Sequence, residues 1–148
     1  MREAFLALHI VSGTAALALG AGTLLASARR HSTREPLLIA YLGAVFATCL
    51  TATVLALLDW SRLWWIVLLA LLSSVLAVVG YVAVRRGGPR WLVAHGLGGS
   101  YIGLVTALLV VSAGDISITA EIFAWVMPTA VGVPLIVRAH TGDRAAAV

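Results

Sequence analysis

The chain has 148 residues, of which 61% are apolar and 11% charged, and its mean hydropathy is +1.05. A soluble domain carries about 25% charged and about 45–50% apolar residues, so this chain lacks the polar residues needed to cover a water-facing surface. A disordered chain needs low hydrophobicity and a disulfide scaffold needs more than the single Cys49, so both are excluded with the soluble fold.

A helix crossing a hydrocarbon core of about 30 Å needs about 20 apolar residues at about 1.5 Å each. The first qualifying run covers 4–28. Ala26-Ser27-Ala28 at its end resembles a signal-peptidase site. The preceding apolar stretch is longer than the roughly 7–15 residues of a signal core, and Arg29 and Arg30 follow at once, so a retained transmembrane helix is expected. The second run covers 36–58, the third 63–84, the fourth 91–113 and the fifth 116–137. Every arginine lies outside these runs, and Glu121 is the formally charged side chain within one. Lipid-facing strands would alternate apolar and polar residues, which these runs do not. Short connections make successive helices antiparallel neighbours. The expectation is all-α: one integral membrane domain, an up-and-down bundle of five transmembrane helices.

All ten cations are arginines, and the sequence pI is about 10.2. Their position between apolar runs makes them topology signals and contacts for anionic lipid headgroups, and no nucleic-acid partner is expected. Arg29, Arg30 and Arg34 fall in the first connection, Arg85, Arg86 and Arg90 in the third, and Arg138 and Arg144 in the tail. Only Arg2 and Arg62 fall on the other side. This bias places the C-terminus in the cytoplasm and the N-terminus outside a cytoplasmic (inner) membrane of a bacterial type. Trp60, Trp64 and Trp65 then form an outer aromatic belt, with Tyr81 and Trp91 at the inner interface.

Small residues let helices approach closely in lipid. The first helix carries Ser12, Ala16 and Gly20 at four-residue spacing, with Gly13 on the same side. The second carries Ala44, Thr48, Ala52 and Ala56 beside Gly43, Ala47 and Thr51, and the fourth carries Gly99, Gly103 and Ala107 beside Gly96 and Ser100. Gly13, Gly20, Gly99 and Gly103 are therefore expected at helix contacts.

Two histidines share these stripes. His9 aligns with Gly13, Ala16 and Gly20, and His95 with Gly99, Ile102 and Thr106. An ionisable residue within a span is a functional candidate whose partner must be found, against the plainer reading of a ring bonded to a backbone carbonyl or hydroxyl. His31 and His140 lie in polar segments and read as solvated residues. His9 enters from one boundary and His95 from the other, about 16 Å apart along the membrane normal in a core of about 30 Å. Both therefore cannot ligate one haem iron. No cluster of His, Cys, Asp and Glu has metal-ligand spacing, so no metal and no cofactor are expected.

Pro128 and Pro134 in the fifth run remove amides that would bond the carbonyls of Ala124 and Ala130, and Gly132 lies between them. Broken backbone at membrane depth is tolerated inside protein or along a cavity, as in transporters; the plainer reading is a kink. A small gap is expected where this segment meets His95. The candidate polar interior is thus His9, His95, Thr106, Pro128 and Pro134. No phosphate-binding loop, nucleophile elbow or carboxylate pair within a span is present, so no catalytic residue is assigned.

Leu8-His9-Ile10 with Gly13, Trp91 with His95, Gly99-Ser100-Tyr101-Ile102 before Thr106, and Trp125-Val126-Met127-Pro128 before Gly132-Val133-Pro134-Leu135 form a combination. It resembles an uncharacterised family of prokaryotic multi-pass membrane proteins, domain of unknown function 2306. The resemblance implies that His9, His95, Pro128 and Pro134 are its motif positions, and it implies no activity. In the first connection His31 is followed by Ser32, where such proteins often have His-Arg. The functional expectation is a non-enzymatic membrane protein in small-solute transport or sensing, or a subunit of a membrane assembly, with the lipid bilayer and a homo-oligomer or membrane partner subunit as its company. A membrane redox carrier, b-type haem or quinone-linked, is the alternative.

Overall fold

A computed structural model describes residues 2–28, 34–113 and 117–145. Five helices follow one another: α1 (Arg2–Ala28), α2 (Arg34–Leu58), α3 (Trp60–Arg85), α4 (Arg90–Ala113) and α5 (Ile118–Ala145). No strand occurs among the described residues. All five helices are long and apolar enough to cross a membrane. They form the expected up-and-down bundle. Arg29, Arg30, His31 and Asp115 lie outside the described residues.

The helices overrun their apolar stretches. α3 starts at Trp60 instead of 63, and α5 continues through Arg138 to Ala145 instead of ending at 137. Hydropathy marks where a helix leaves hydrocarbon, whereas the backbone hydrogen-bond ladder continues into the interface, so the helix end lies further out than the composition change.

Two tight turns set the antiparallel order. Between α2 and α3 stands the single residue Asp59, whose amide bonds Ala56 O at 3.3 Å while its carbonyl accepts from the Leu63 amide at 3.0 Å. α3 ends in a Schellman motif. Gly87 takes φ +62°, its amide bonds Val84 O at 3.3 Å, and the Gly88 amide bonds Ala83 O at 2.7 Å. A left-handed residue at that position suits glycine, which has no Cβ to clash. Pro89 then opens α4 by accepting from the Leu92 amide at 2.9 Å.

Sequential neighbours pack along their lengths, and α1 also touches α4, which closes α1–α4 into a ring. α5 lies outside this ring, along α4, and reaches α3 through an edge-to-face contact of Trp65 and Trp125 at 5.0 Å. α4, between three neighbours, is the most buried helix, and α5 the least.

Close approach in the ring depends on glycine. At the α3–α4 crossing a Cβ on Gly96 would lie against the backbone of Gly80, 2.5 Å from its Cα, and a Cβ on Gly80 would lie 2.6 Å from the Leu97 amide nitrogen. Further along, Gly99 receives Leu76 at 3.0 Å and Gly103 lies against the Ser73 hydroxyl. Gly20 of α1 leaves the space filled by the rings of Tyr41 and Tyr101. Outside the ring, Ile136 of α5 sits over Gly98 and Ile102 of α4 sits over Gly132, a reciprocal fit that fixes the α4–α5 register. Gly13 lies at the α1–α2 contact as expected, but the approach there is looser, since a Cβ would meet Thr48 Cγ2 at an ordinary 3.6 Å.

Candidate functional site

The polar side chains of the spans divide into those bonded within their own helix and those that cross to a neighbour. Thr14, Thr23, Thr48, Thr53, Thr106 and Ser112 each donate to the carbonyl four residues back, at 2.7–2.9 Å. That bond satisfies a hydroxyl in lipid without a partner helix. Thr106 is buried on α4 in this manner, its hydroxyl on Ile102 O at 2.9 Å.

His9 crosses. Its Nδ1 lies 3.3 Å from Thr48 O and 3.1 Å from Thr51 Oγ1, both on α2. A carbonyl oxygen only accepts, so Nδ1 carries the ring proton and donates to both atoms. The Thr51 hydroxyl already sends its own hydrogen to Ala47 O at 2.8 Å or Thr48 O at 3.0 Å, which leaves its oxygen to accept from the ring. Ser12, one turn further along α1, donates to His9 O at 3.2 Å. His9 is half-buried while Ser12, Thr48 and Thr51 are buried, so a polar cluster opens from the α1–α2 contact towards the outside of the ring.

The matched depth of these partners follows from the hairpin. His9 is seven residues from the start of α1 and Thr51 seven from the end of α2. In antiparallel neighbours those positions come level, about 10 Å along the helix at 1.5 Å per residue. In the sequence Thr48 and Thr51 read as packing residues; counting from the paired helix ends is the signal that matches them to His9.

His95 behaves differently. It lies on the exposed side of α4, not in the interior expected from its stripe. Its Nδ1 bonds Trp91 O of its own helix at 2.7 Å, and its ring meets Trp91 edge-on at 6.1 Å. One turn further in, Gly99 packs on Leu76, but His95 is near the helix end and folds back on its own backbone. α1 and α4 run antiparallel and each histidine lies near the start of its helix, so His9 and His95 occupy opposite ends of the bundle. They do not form one site.

The prolines are also placed apart from the interior. α5 runs without interruption through Pro128 and Pro134, on the outside of the ring, with Pro134 exposed and Pro128 half-buried. From the Ile136–Gly98 and Ile102–Gly132 contacts, Pro128 comes level with Thr106, about three turns from His95, and Pro134 with Ser100, about one and a half turns from it.

A second crossing bond lies deeper. Tyr41 of α2 donates to Ser100 Oγ of α4 at 3.1 Å across the ring, with both side chains almost fully buried. Around it Ala16, Val45, Ala77, Leu97 and Leu104 form an apolar core. This bond holds opposite helices together and is closed off from the surroundings. At the end of the bundle carrying the α3–α4 turn, the exposed Arg85 pairs with the exposed Glu35 at 3.4 Å and donates to the hydroxyl of half-buried Tyr81 at 3.1 Å.

Among the described residues no three His, Cys, Asp or Glu side chains gather as a metal site would require. In comparisons with known proteins, no family model, no curated protein and no solved structure matches the chain.

Proposed function

We propose that this is a non-enzymatic multi-pass protein of a bacterial cytoplasmic membrane that recognises a small solute at His9, for transport or sensing, as a homo-oligomer or with a membrane partner subunit. The observation that carries the reading is the His9 imidazole, oriented by Thr48 O and Thr51 Oγ1 at membrane depth and half open to the outside of the ring. An oriented ionisable ring within a span is costly to place there and marks function before structure. The arginine distribution supports an external N-terminus and a cytoplasmic C-terminus, an orientation in which His9 belongs to the outer half of the bilayer. The motif resemblance to domain of unknown function 2306 belongs to the same proposal and adds no activity to it.

Complementation tests it. In a strain whose own copy is deleted, the wild-type chain and His95→Leu restore the deletion phenotype, and His9→Leu, present in the membrane at wild-type level, does not. Equal rescue by His9→Leu would reject the reading. A reporter fused before Met1 should read external and one after Val148 cytoplasmic; both on one side would reject the orientation.

A further inference from the structure

The assignment of the ring proton determines what His9 can bind. Nδ1–H is committed to Thr48 O and Thr51 Oγ1, so in the neutral ring Nε2 holds a lone pair. Among the described residues Nε2 has no hydrogen-bond partner, and no carboxylate pairs with the ring. An unmet acceptor at this depth selects a donor. A carbonyl or an anion would need a proton on Nε2 as well, which makes an uncompensated imidazolium about 10 Å along the helix. A metal ion would need further ligands, and no such group surrounds it among the described residues. The flanking exposed residues of α1, Leu6, Leu8 and Ile10, are apolar, so the approach to the ring runs through lipid.

We propose that His9 Nε2 is the hydrogen-bond acceptor for a lipid-soluble ligand with a neutral hydroxyl, an alcohol or phenol that enters from the bilayer beside α1 and α2. Thr48 and Thr51 are positioning residues that hold the acceptor outward. The inference rests on His9 as the recognition point and names the class of compound recognised there.

Nitrogen-15 NMR of the full chain in lipid nanodiscs tests it. Replacing His31, His95 and His140 by Gln leaves His9 as the labelled histidine. Nδ1 should be the protonated nitrogen and Nε2 the bare one. 4-Hexylphenol should shift the Nε2 resonance saturably, while 4-hexylanisole, of the same shape without the donor, and glycerol, a hydroxyl that stays in water, should not. Thr51→Val loosens the ring and should weaken the phenol by about two- to tenfold, as loss of one hydrogen bond of about 0.5–1.5 kcal/mol implies. A proton on Nε2, an equal effect of the anisole, or a shift that never saturates overturns the proposal. If the phenol leaves Nε2 unmoved while His9→Leu still fails to complement, the ligand class is wrong and the recognition reading stands. If the phenol binds while His9→Leu complements fully, the ligand class stands and the functional reading falls.

Discussion

The α3–α4 crossing is where one methyl group should matter most. In Gly96→Ala the new Cβ would lie 2.5 Å from Gly80 Cα and 3.0 Å from Leu76 O, against backbone that has no rotamer to change. Carbon atoms settle at about 3.5–4.0 Å, so the two helices must part locally by about 1 Å. A gap of that size forfeits about a quarter to a half of each contact's attraction along the crossing, including Leu76 on Gly99 and Leu97 on Gly80. Overpacking costs about 1–3 kcal/mol, and backbone against backbone puts this site near the upper end. The better helix propensity of alanine returns about 0.5–1 kcal/mol. The net loss is about 2 kcal/mol, or a Tm lowered by about 4–8 °C for a chain of this size. The control is Gly43→Ala, where nothing lies within 4 Å and only the propensity gain remains. Circular-dichroism melting of both variants in one detergent reads the difference. A Gly96→Ala protein as stable as Gly43→Ala would refute the reasoning.

Other substitutions read other contacts. Tyr41→Phe removes the bond to Ser100 inside the ring and should cost about 1 kcal/mol in the same melting assay, with insertion unchanged. Gly132→Leu collides with Ile102 and should lift α5 from α4 while α1–α4 stay closed; tryptophan fluorescence reports it through the Trp65–Trp125 contact. Gly13→Ala should be neutral or slightly stabilising, since its Cβ meets Thr48 at an ordinary distance, and a loss above about 1 kcal/mol would count against the α1–α2 packing described. Glu35→Gln breaks a surface ion pair with Arg85 and should leave the melting temperature unchanged in physiological salt.

Much of this architecture is legible in the sequence, for a physical reason. Lipid requires every backbone polar group to be satisfied within its own segment, so an apolar run of about 20 residues has helix as its available spanning form. Short connections then make neighbours antiparallel. Class, helix number and up-and-down order thus follow from local chemistry along the chain. So does the expectation that Gly20, Gly99 and Gly103 lie at helix contacts, because close approach in a membrane needs small residues.

Which face meets which neighbour is another matter. The hydropathy pattern carries little of it, because the lipid side and the protein side of a membrane helix are both apolar. Thus His95 shared a stripe with Gly99 yet lies exposed and bonded to its own helix, and the proline segment of α5 lies outside the ring. The fit of Gly80 against Gly96 and of Ile136 over Gly98 pairs residues from separate helices that no single run can foretell. The sequence by itself determined five long apolar helices and their up-and-down order. Only the tertiary structure decided that His9 faces Thr48 and Thr51, since that depends on the rotation of α1 against α2, which side-chain packing sets and helix periodicity leaves free.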